Sequence, residues 1–333
     1  MSKTSQELLS QPACWRVAAA LAYELDRTGV LDRTGELPAR GQRIALAGCG
    51  TSRYMAQAMA AWREAQGDGE TDAFAASEMP TERSYELVVA LSRSGTTTEV
   101  VRLIEELHQH GTKVLAITAT PGTPVADAAD MAINLAFADE ASVVQTRFAT
   151  SACALWRAHL GHDVRRLADD AELALATADT STTANAGTTA DAGTTEDAGT
   201  TEDAGNNADA GNNALGSFQQ FVFLGRGAGA ALASEAALKF REAALSWSEA
   251  YPALEFRHGP ISVIGEHSLV WAIGELDPDL TAQIEDTGAT VRRSVGDPMV
   301  DLVTVHQAAV ALAAAKGLDP DQPRRLTRSV ILA

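Results

Sequence analysis

Disulfide chemistry is the first thing this chain has little material for. Its three cysteines, Cys14, Cys49 and Cys153, are odd in number and far apart among 333 residues. They argue against a disulfide framework and against a cysteine-built metal site. Aromatic residues make up only 5%, against 46% apolar residues overall, so the core must rest on aliphatic side chains and abundant alanine. That composition suits helices packed closely on a sheet. Cations are scarce too: 26 Lys and Arg against 44 Asp and Glu leave a net charge of −18 and a pI near 4.7. Such a field repels a phosphodiester backbone, and nucleic acid is not an expected partner. A small anion is still admissible, because a pocket of amides and hydroxyls acts locally while distant charge is screened. No apolar run approaches membrane-spanning length and residues Met1 to Ser10 are polar. A cytoplasmic protein without a membrane partner is the expectation.

What the sequence does have is one strand, turn and helix pattern used repeatedly. After a leading helix over residues 8–25, the run Arg43 to Ala47 predicts a strand ending in Gly48-Cys49-Gly50-Thr51-Ser52, with a helix from Arg53 to about Ala65. A glycine pair at such a turn lets backbone amides approach a ligand closely. The dinucleotide fingerprint is not met here, since Arg53 stands where a third small residue is needed, and no nicotinamide cofactor is expected. Asp72 to Ala76, Leu87 to Leu91, Lys113 to Thr118 and Met131 to Leu135 are further strands, alternating with helical patterns. That alternation predicts a parallel, doubly wound α/β sheet. Leu91 runs straight into Ser92-Arg93-Ser94-Gly95-Thr96-Thr97, four hydroxyls and a glycine ahead of a helix. Free N–H groups and the positive dipole end of that helix, joined by hydroxyl donors, suit a phosphate monoester. Serine and threonine are also ordinary N-cap residues, with Thr97 or Thr98 capping beside Glu99. Residues Glu140 to Thr150 open another helix with a polar, hydroxyl-bearing start.

From Ala186 to Asn213 the chain becomes a hexad repeat of Ala, Gly, Thr, Asn and acidic residues, which offers too little apolar surface for a core and reads as a linker. The pattern then restarts: Phe221 to Leu224 as strand, Gly225-Arg226-Gly227-Ala228-Gly229 as turn, and a helix from Ala230 to about Trp247. Leu269 to Ile273, Thr290 to Arg293 and Val300 to Val303 are the next strand candidates, with a closing helix from Val305 to Lys316. Two such halves indicate an internal duplication. On the helix after Gly229, Glu235, Lys239 and Glu242 fall on one stripe, which is either its solvent side or the wall of a site. Ser248 to Pro260 reads as a dense polar and aromatic loop containing His258, a group able to move protons near neutrality or simply to cap a turn. The cation-bearing tail from Asp319 to Val330 reads as a segment that docks onto something anionic.

Taken together, these stretches resemble the sugar isomerase (SIS) domain family, in particular the isomerase half of glucosamine-6-phosphate synthase and SIS-type amino-sugar phosphate deaminases. The matching pieces are Gly48 to Ser52, Leu91 to Thr97, Ser142 to Thr146, Phe223 to Gly227, Glu235 to Glu242, Glu249 to Tyr251 with His258-Gly259-Pro260, and Asp321 to Arg324 with Arg328-Ser329-Val330. The resemblance implies two flavodoxin-like SIS subdomains, at 41–177 and 214–318. Residues 1–40 hold the leading helix, 178–213 the linker, and 319–333 a tail docked at the site. It implies that Ser52, Ser92, Arg93, Ser94 and Thr97 hold a substrate phosphate, and that Gly50, Thr51, Val143 and Gln145 line the sugar. By the same resemblance Glu242 shuttles a proton between C1 and C2, and His258 opens the sugar ring from the neighbouring subunit of a homodimer.

Such chemistry is self-sufficient: a carboxylate, an imidazole and loop hydroxyls can move a carbonyl between C2 and C1 without metal or cofactor. Where the family pattern has a lysine before Ser-Val, this chain has Arg328, whose guanidinium cannot form an imine and is left to stabilise charge. Gln145 stands for a serine and Arg93 for a glutamine. The expectation is an amino-sugar or ketose 6-phosphate isomerase or deaminase, without glutamine amidotransferase activity. The alternatives are a fructosamine-6-phosphate deglycase and a non-catalytic phosphosugar sensor, whose usual helix-turn-helix companion has no room before Gly41.

Overall fold

Strands buried on both faces read as continuous apolar runs, and the central strands of this chain do so. In the computed structural model, which describes residues 1–28, 37–178 and 215–332, β1 (Ile44–Gly48), β3 (Leu87–Leu91) and β4 (Val114–Thr118) are buried at every position. With β2 (Thr71–Ala75) and β5 (Met131–Asn134) they form an all-parallel sheet in the order β2-β1-β3-β4-β5. A second parallel sheet has the order β7-β6-β8-β9, from β6 (Gln220–Gly225), β7 (Ser248–Pro252), β8 (Ser268–Ile273) and β9 (Thr290–Arg292). Overlaying β1 on β6 makes the two orders correspond, with β5 the strand that has no counterpart. The doubly wound α/β expectation holds for both halves.

Around the sheets lie α1 (Lys3–Leu9), α2 (Gln11–Thr28), α3 (Thr51–Gln66), α4 (Thr98–Gln109), α5 (Pro124–Ala128), α6 (Arg147–His159), α7 (Val164–Ala178), α8 (Ala228–Ala244), α9 (Pro278–Glu285) and α10 (Pro298–Ala315). The largest core cluster draws residues from both halves, including Met55 and Met59 of α3, Phe148 and Trp156 of α6, Phe240 of α8 and Leu302 of α10. Helices α3 and α8 pack on each other between the sheets. Smaller cores cover the outer faces, one under α4 and one under α9.

Several sequence expectations need correction. The leading helix is two helices, broken at Ser10. Ser248–Pro252 is strand β7 rather than loop, because it is an edge strand whose polar side chains bond laterally: Glu249 accepts from Trp247 Nε1 at 3.2 Å and from the Tyr251 hydroxyl at 3.1 Å. Val300 to Val303 is not a strand but the first turns of α10, whose apolar residues are buried nearly all round, so no face-to-face alternation distinguishes helix from strand. Helix α10 is also long and apolar enough to cross a membrane by length and composition, although here it is largely buried as a core helix. The hexad repeat lies outside the described residues.

Candidate functional site

Register places two turns side by side. Gly48 pairs with Leu91 across β1 and β3, so Cys49 to Ser52 and Ser92 to Thr97 leave the same sheet edge next to each other, each leading into a helix N-terminus. That is where open α/β sheets bind ligands. Thr51, Ser52, Ser92 and Ser94 are all buried there. The Ser92 hydroxyl has no hydrogen-bond partner, nor does the Gln145 side-chain oxygen on the neighbouring loop. A buried polar group without a partner costs about 1–3 kcal/mol, so these atoms are poised for a ligand.

The second half meets this turn through α8. The stripe read from the sequence is buried, not solvated: Glu235 and Lys239 are 0% and 1% exposed. Thr51 Oγ1 donates to Glu235 at 3.2 Å and lies 3.1 Å from Lys239 Nζ, which also pairs with Glu235 at 3.3 Å and with Glu242. Thr51, Lys239 and Glu242 thus form one connected chain from the first half to the second. Burial pushes the Glu235 carboxyl up to about 7, against the pull of Lys239. Burial alone would lower Lys239, but the charges of Glu235 and Glu242 outweigh it and hold it above its ordinary value. Behind them on α10, His306 is 1% exposed with neither ring nitrogen bonded. Burial, helped by Lys239, pushes its pKa down to about 3.

Arg93 does something other than the expected phosphate contact. Its guanidinium donates to the carbonyls of Ser142 (2.9 Å), Val143 (3.3 Å) and Arg328 (2.8 Å) and faces Glu140 at 4.0 Å. Both terminal nitrogens are spent on fastening the loop at Ser142 and Val143 and the tail to the turn. Glu140, which the sequence reading left without a role, is fully buried and accepts from the amides of Thr146 (2.5 Å) and Arg147 (2.9 Å), capping α6. Glu7 of α1 accepts from Ala141 N at 2.6 Å and Ser142 N at 3.2 Å, so the leading helix anchors the same loop. Only the acid before a hydroxyl-rich helix start signalled Glu140; nothing local signalled Glu7.

The tail docks on the turn. Ser329 Oγ lies 3.1 Å from Ser94 Oγ and 2.9 Å from Thr96 Oγ1, and Thr98 N donates to the Val330 carbonyl at 3.2 Å. Arg328 pairs with Asp139 at 2.5 Å and is bonded to none of the α8 groups. Its charge is therefore paired with Asp139 rather than with Glu242. Val143 is half-buried, Gly50 is exposed at the mouth of the turn, and Thr97 occupies the N-cap of α4 without a side-chain capping bond. His258 ends a short 3₁₀ turn (Glu255–Arg257) after β7; its ring is exposed and hydrogen bonds to none of these groups within the chain. Among the described residues, no cluster of His, Cys, Asp or Glu is arranged to hold a metal ion.

The family model that matches this chain is that of the SIS domain, over residues 39–158, which contain β1 to β5 and both turns. Sequence relatives extend the likeness beyond these residues. A glutamine–fructose-6-phosphate aminotransferase (isomerizing) of Pyrobaculum aerophilum is 26% identical over 284 residues, 74% of this chain and 43% of the relative. That of Halobacterium salinarum is 27% identical over 320 residues, 86% of this chain and 51% of the relative. The chain spans about half the length of the curated relatives it matches. Among solved structures, a glucosamine-6-phosphate deaminase from Thermotoga maritima superposes with a TM-score of 0.75 at 22% identity, covering 99% of this chain and 100% of that one. A tagatose-6-phosphate ketose/aldose isomerase from Escherichia coli gives 0.73 at 19% identity, over 100% and 96%. The fold shared with these two structures therefore extends through both halves.

Proposed function

We propose that this chain is a phosphosugar isomerase or deaminase, acting on an amino-sugar or ketose hexose 6-phosphate by proton transfer between C1 and C2. The observation that carries this reading is the continuous link from Thr51 through Lys239 to Glu242, which joins an acid-base side chain to the Gly48–Ser52 turn, beside the turn that carries the unfilled Ser92 hydroxyl. The names of the relatives and neighbours cited above are those of phosphosugar enzymes and support the same substrate class.

In this reading the hydroxyls of Ser52, Ser92, Ser94 and Thr97, with the α4 amides, hold the phosphate, while Gly50, Thr51, Val143 and Gln145 line the sugar. Glu242 removes the proton from C2 and returns it to C1. A 2-amino aldose then becomes a ketimine, which water hydrolyses to ketose and ammonia. Arg93 and Arg328 support the turn, the first as a clamp and the second as a charge balanced by Asp139. His258, exposed in one chain, opens the ring from a partner subunit, which makes the homodimer part of the proposal. So is the division into SIS subdomains at 41–177 and 214–318 with a docked tail.

The test is to incubate the protein with glucosamine, galactosamine and fructosamine 6-phosphates and measure ammonia, free amine and ketose. Glu242→Gln should lower turnover by about 10²–10⁴-fold while phosphosugar binding survives. Unchanged turnover removes Glu242 from the mechanism. Free amine from fructosamine 6-phosphate alone points to the deglycase, and no product from any substrate to the sensor.

A further inference from the structure

Away from this site, a cleft of about 360 Å³ opens between α7 and the segment joining β9 to α10. It has one unusual wall. Trp271 of β8 and Arg292 of β9 are register partners, and the Arg292 guanidinium lies 3.9 Å from the centre of the Trp271 ring. Stacking on an indole fixes the plane of the guanidinium and strips water from one side. Among the described residues this guanidinium has no ion pair and no hydrogen bond. The carboxylates near it are committed elsewhere. Asp301 accepts from Gly274 N (2.7 Å), Ser294 Oγ (2.6 Å) and Val295 N (2.8 Å). Asp297 holds Arg157 through both oxygens at 2.8 Å and caps α10 through Met299 N. Burial without a counter-ion lowers the pKa of Arg292 to about 10, partly opposed by Asp301.

A guanidinium in a cleft with its donors unused offers them to an anion, and the rest of the lining says which kind. Leu173, Val295 and Val300 give the walls an apolar character, and Asp170 stands exposed at the rim. One positive charge balances one negative charge, the acidic rim disfavours a dianion, and the apolar walls require an apolar body. We propose that this cleft binds a small organic monocarboxylate with an apolar body, the carboxylate taken in the plane of the Arg292 guanidinium. The inference is independent of the phosphosugar reading, because the lining of the cleft shares no residue with that site.

The experiment is calorimetric titration of the full chain with benzoate and, separately, with inorganic phosphate. Benzoate should give saturable heat, and Arg292→Met, which keeps apolar contact with the indole but removes the charge, should weaken it by about tenfold or more. Leu173 is 65% exposed, so Leu173→Glu alters charge at the mouth without touching the core, and it should weaken benzoate as well. Circular dichroism checks that each variant folds; if Arg292→Met does not, Leu173→Glu decides. Absence of benzoate binding, equal binding in Arg292→Met, or equal binding in Leu173→Glu when that variant decides, overturns the proposal. So does Arg292-dependent binding of phosphate without benzoate.

Discussion

The two halves of this molecule share a backbone device and surround it with different side chains. At the first turn of each, a glycine caps the following helix in nearly the same conformation: Gly50 at φ 54° and ψ −125°, Gly227 at φ 52° and ψ −124°. Each strand end is pressed so closely on its helix that a Cβ would collide, 2.7 Å from Ser52 at Gly48 and 2.3 Å from Gly229 at Gly225. Beyond the next strand the halves diverge. The first carries Ser92 to Thr97, rich in hydroxyls; the second carries Gly274-Glu275-Leu276-Asp277, whose acids repel an anion. The second half has instead placed its ionisable groups on α8, facing back across the interface. The hydroxyl-rich turn and the buried ionisable stripe therefore lie on different halves.

The largest effect that would sharpen this comparison is on stability. Gly48→Ala and Gly225→Ala should each cost about 1–3 kcal/mol by overpacking, because both clash with helix backbone that cannot swing aside, with Gly225→Ala the worse because its clash is closer, at 2.3 Å against 2.7 Å. Denaturant midpoints measure this, and a neutral Gly225→Ala would break the equivalence of the two turns. Next, Ser92→Ala should weaken phosphosugar binding by about tenfold while leaving the melting temperature nearly unchanged, since its hydroxyl has no partner to lose. Ala at Glu275 should do neither.

The smallest effect is in pH dependence, where α8 and its neighbours should act and the hydroxyl turn should not. Glu235 is raised from 4.5 to about 7, so the folded state holds a proton that the unfolded state has released. Its contribution to stability is present below about pH 4.5 and is lost as pH rises to about 7, relative to Glu235→Gln. His306, lowered from 6.5 to about 3, has the opposite sign: its contribution is lost as pH falls from 6.5, relative to His306→Gln. Unfolding curves at several pH values should give slopes of opposite sign for the two variants against the parent chain.

Much of the scaffold was legible because it is written locally. Continuous apolar runs ending in glycine or serine announced the buried parallel strands, and the same grammar after residue 214 announced the second half. The errors share a cause, which is tertiary context. β7 is polar because it lies at a sheet edge, and α10 reads like a strand at Val300 because both its sides are buried. At the site, spacing put Glu235, Lys239 and Glu242 on one stripe, but only the packing of α8 on α3 turns that stripe inward. Arg93 stood in the expected turn, yet its direction is set by carbonyls about 50 and 235 positions away in sequence. Glu7 was silent for the same reason: its partners are amides, and any residue can supply one.

The anchoring of α1 bears on how the molecule is assembled. Asp321 accepts from the amides of Lys3 and Thr4 at 2.8 Å, closing a span of more than 300 residues. A chain emerging from the ribosome can pair its first five strands early, but α1, and with it the grip of Glu7 on the loop at Ala141 and Ser142, lacks this fastening until residue 321 has been made. Completion of the first half thereby waits on a contact more than 300 residues away, a delay that long-range closure imposes on any such topology.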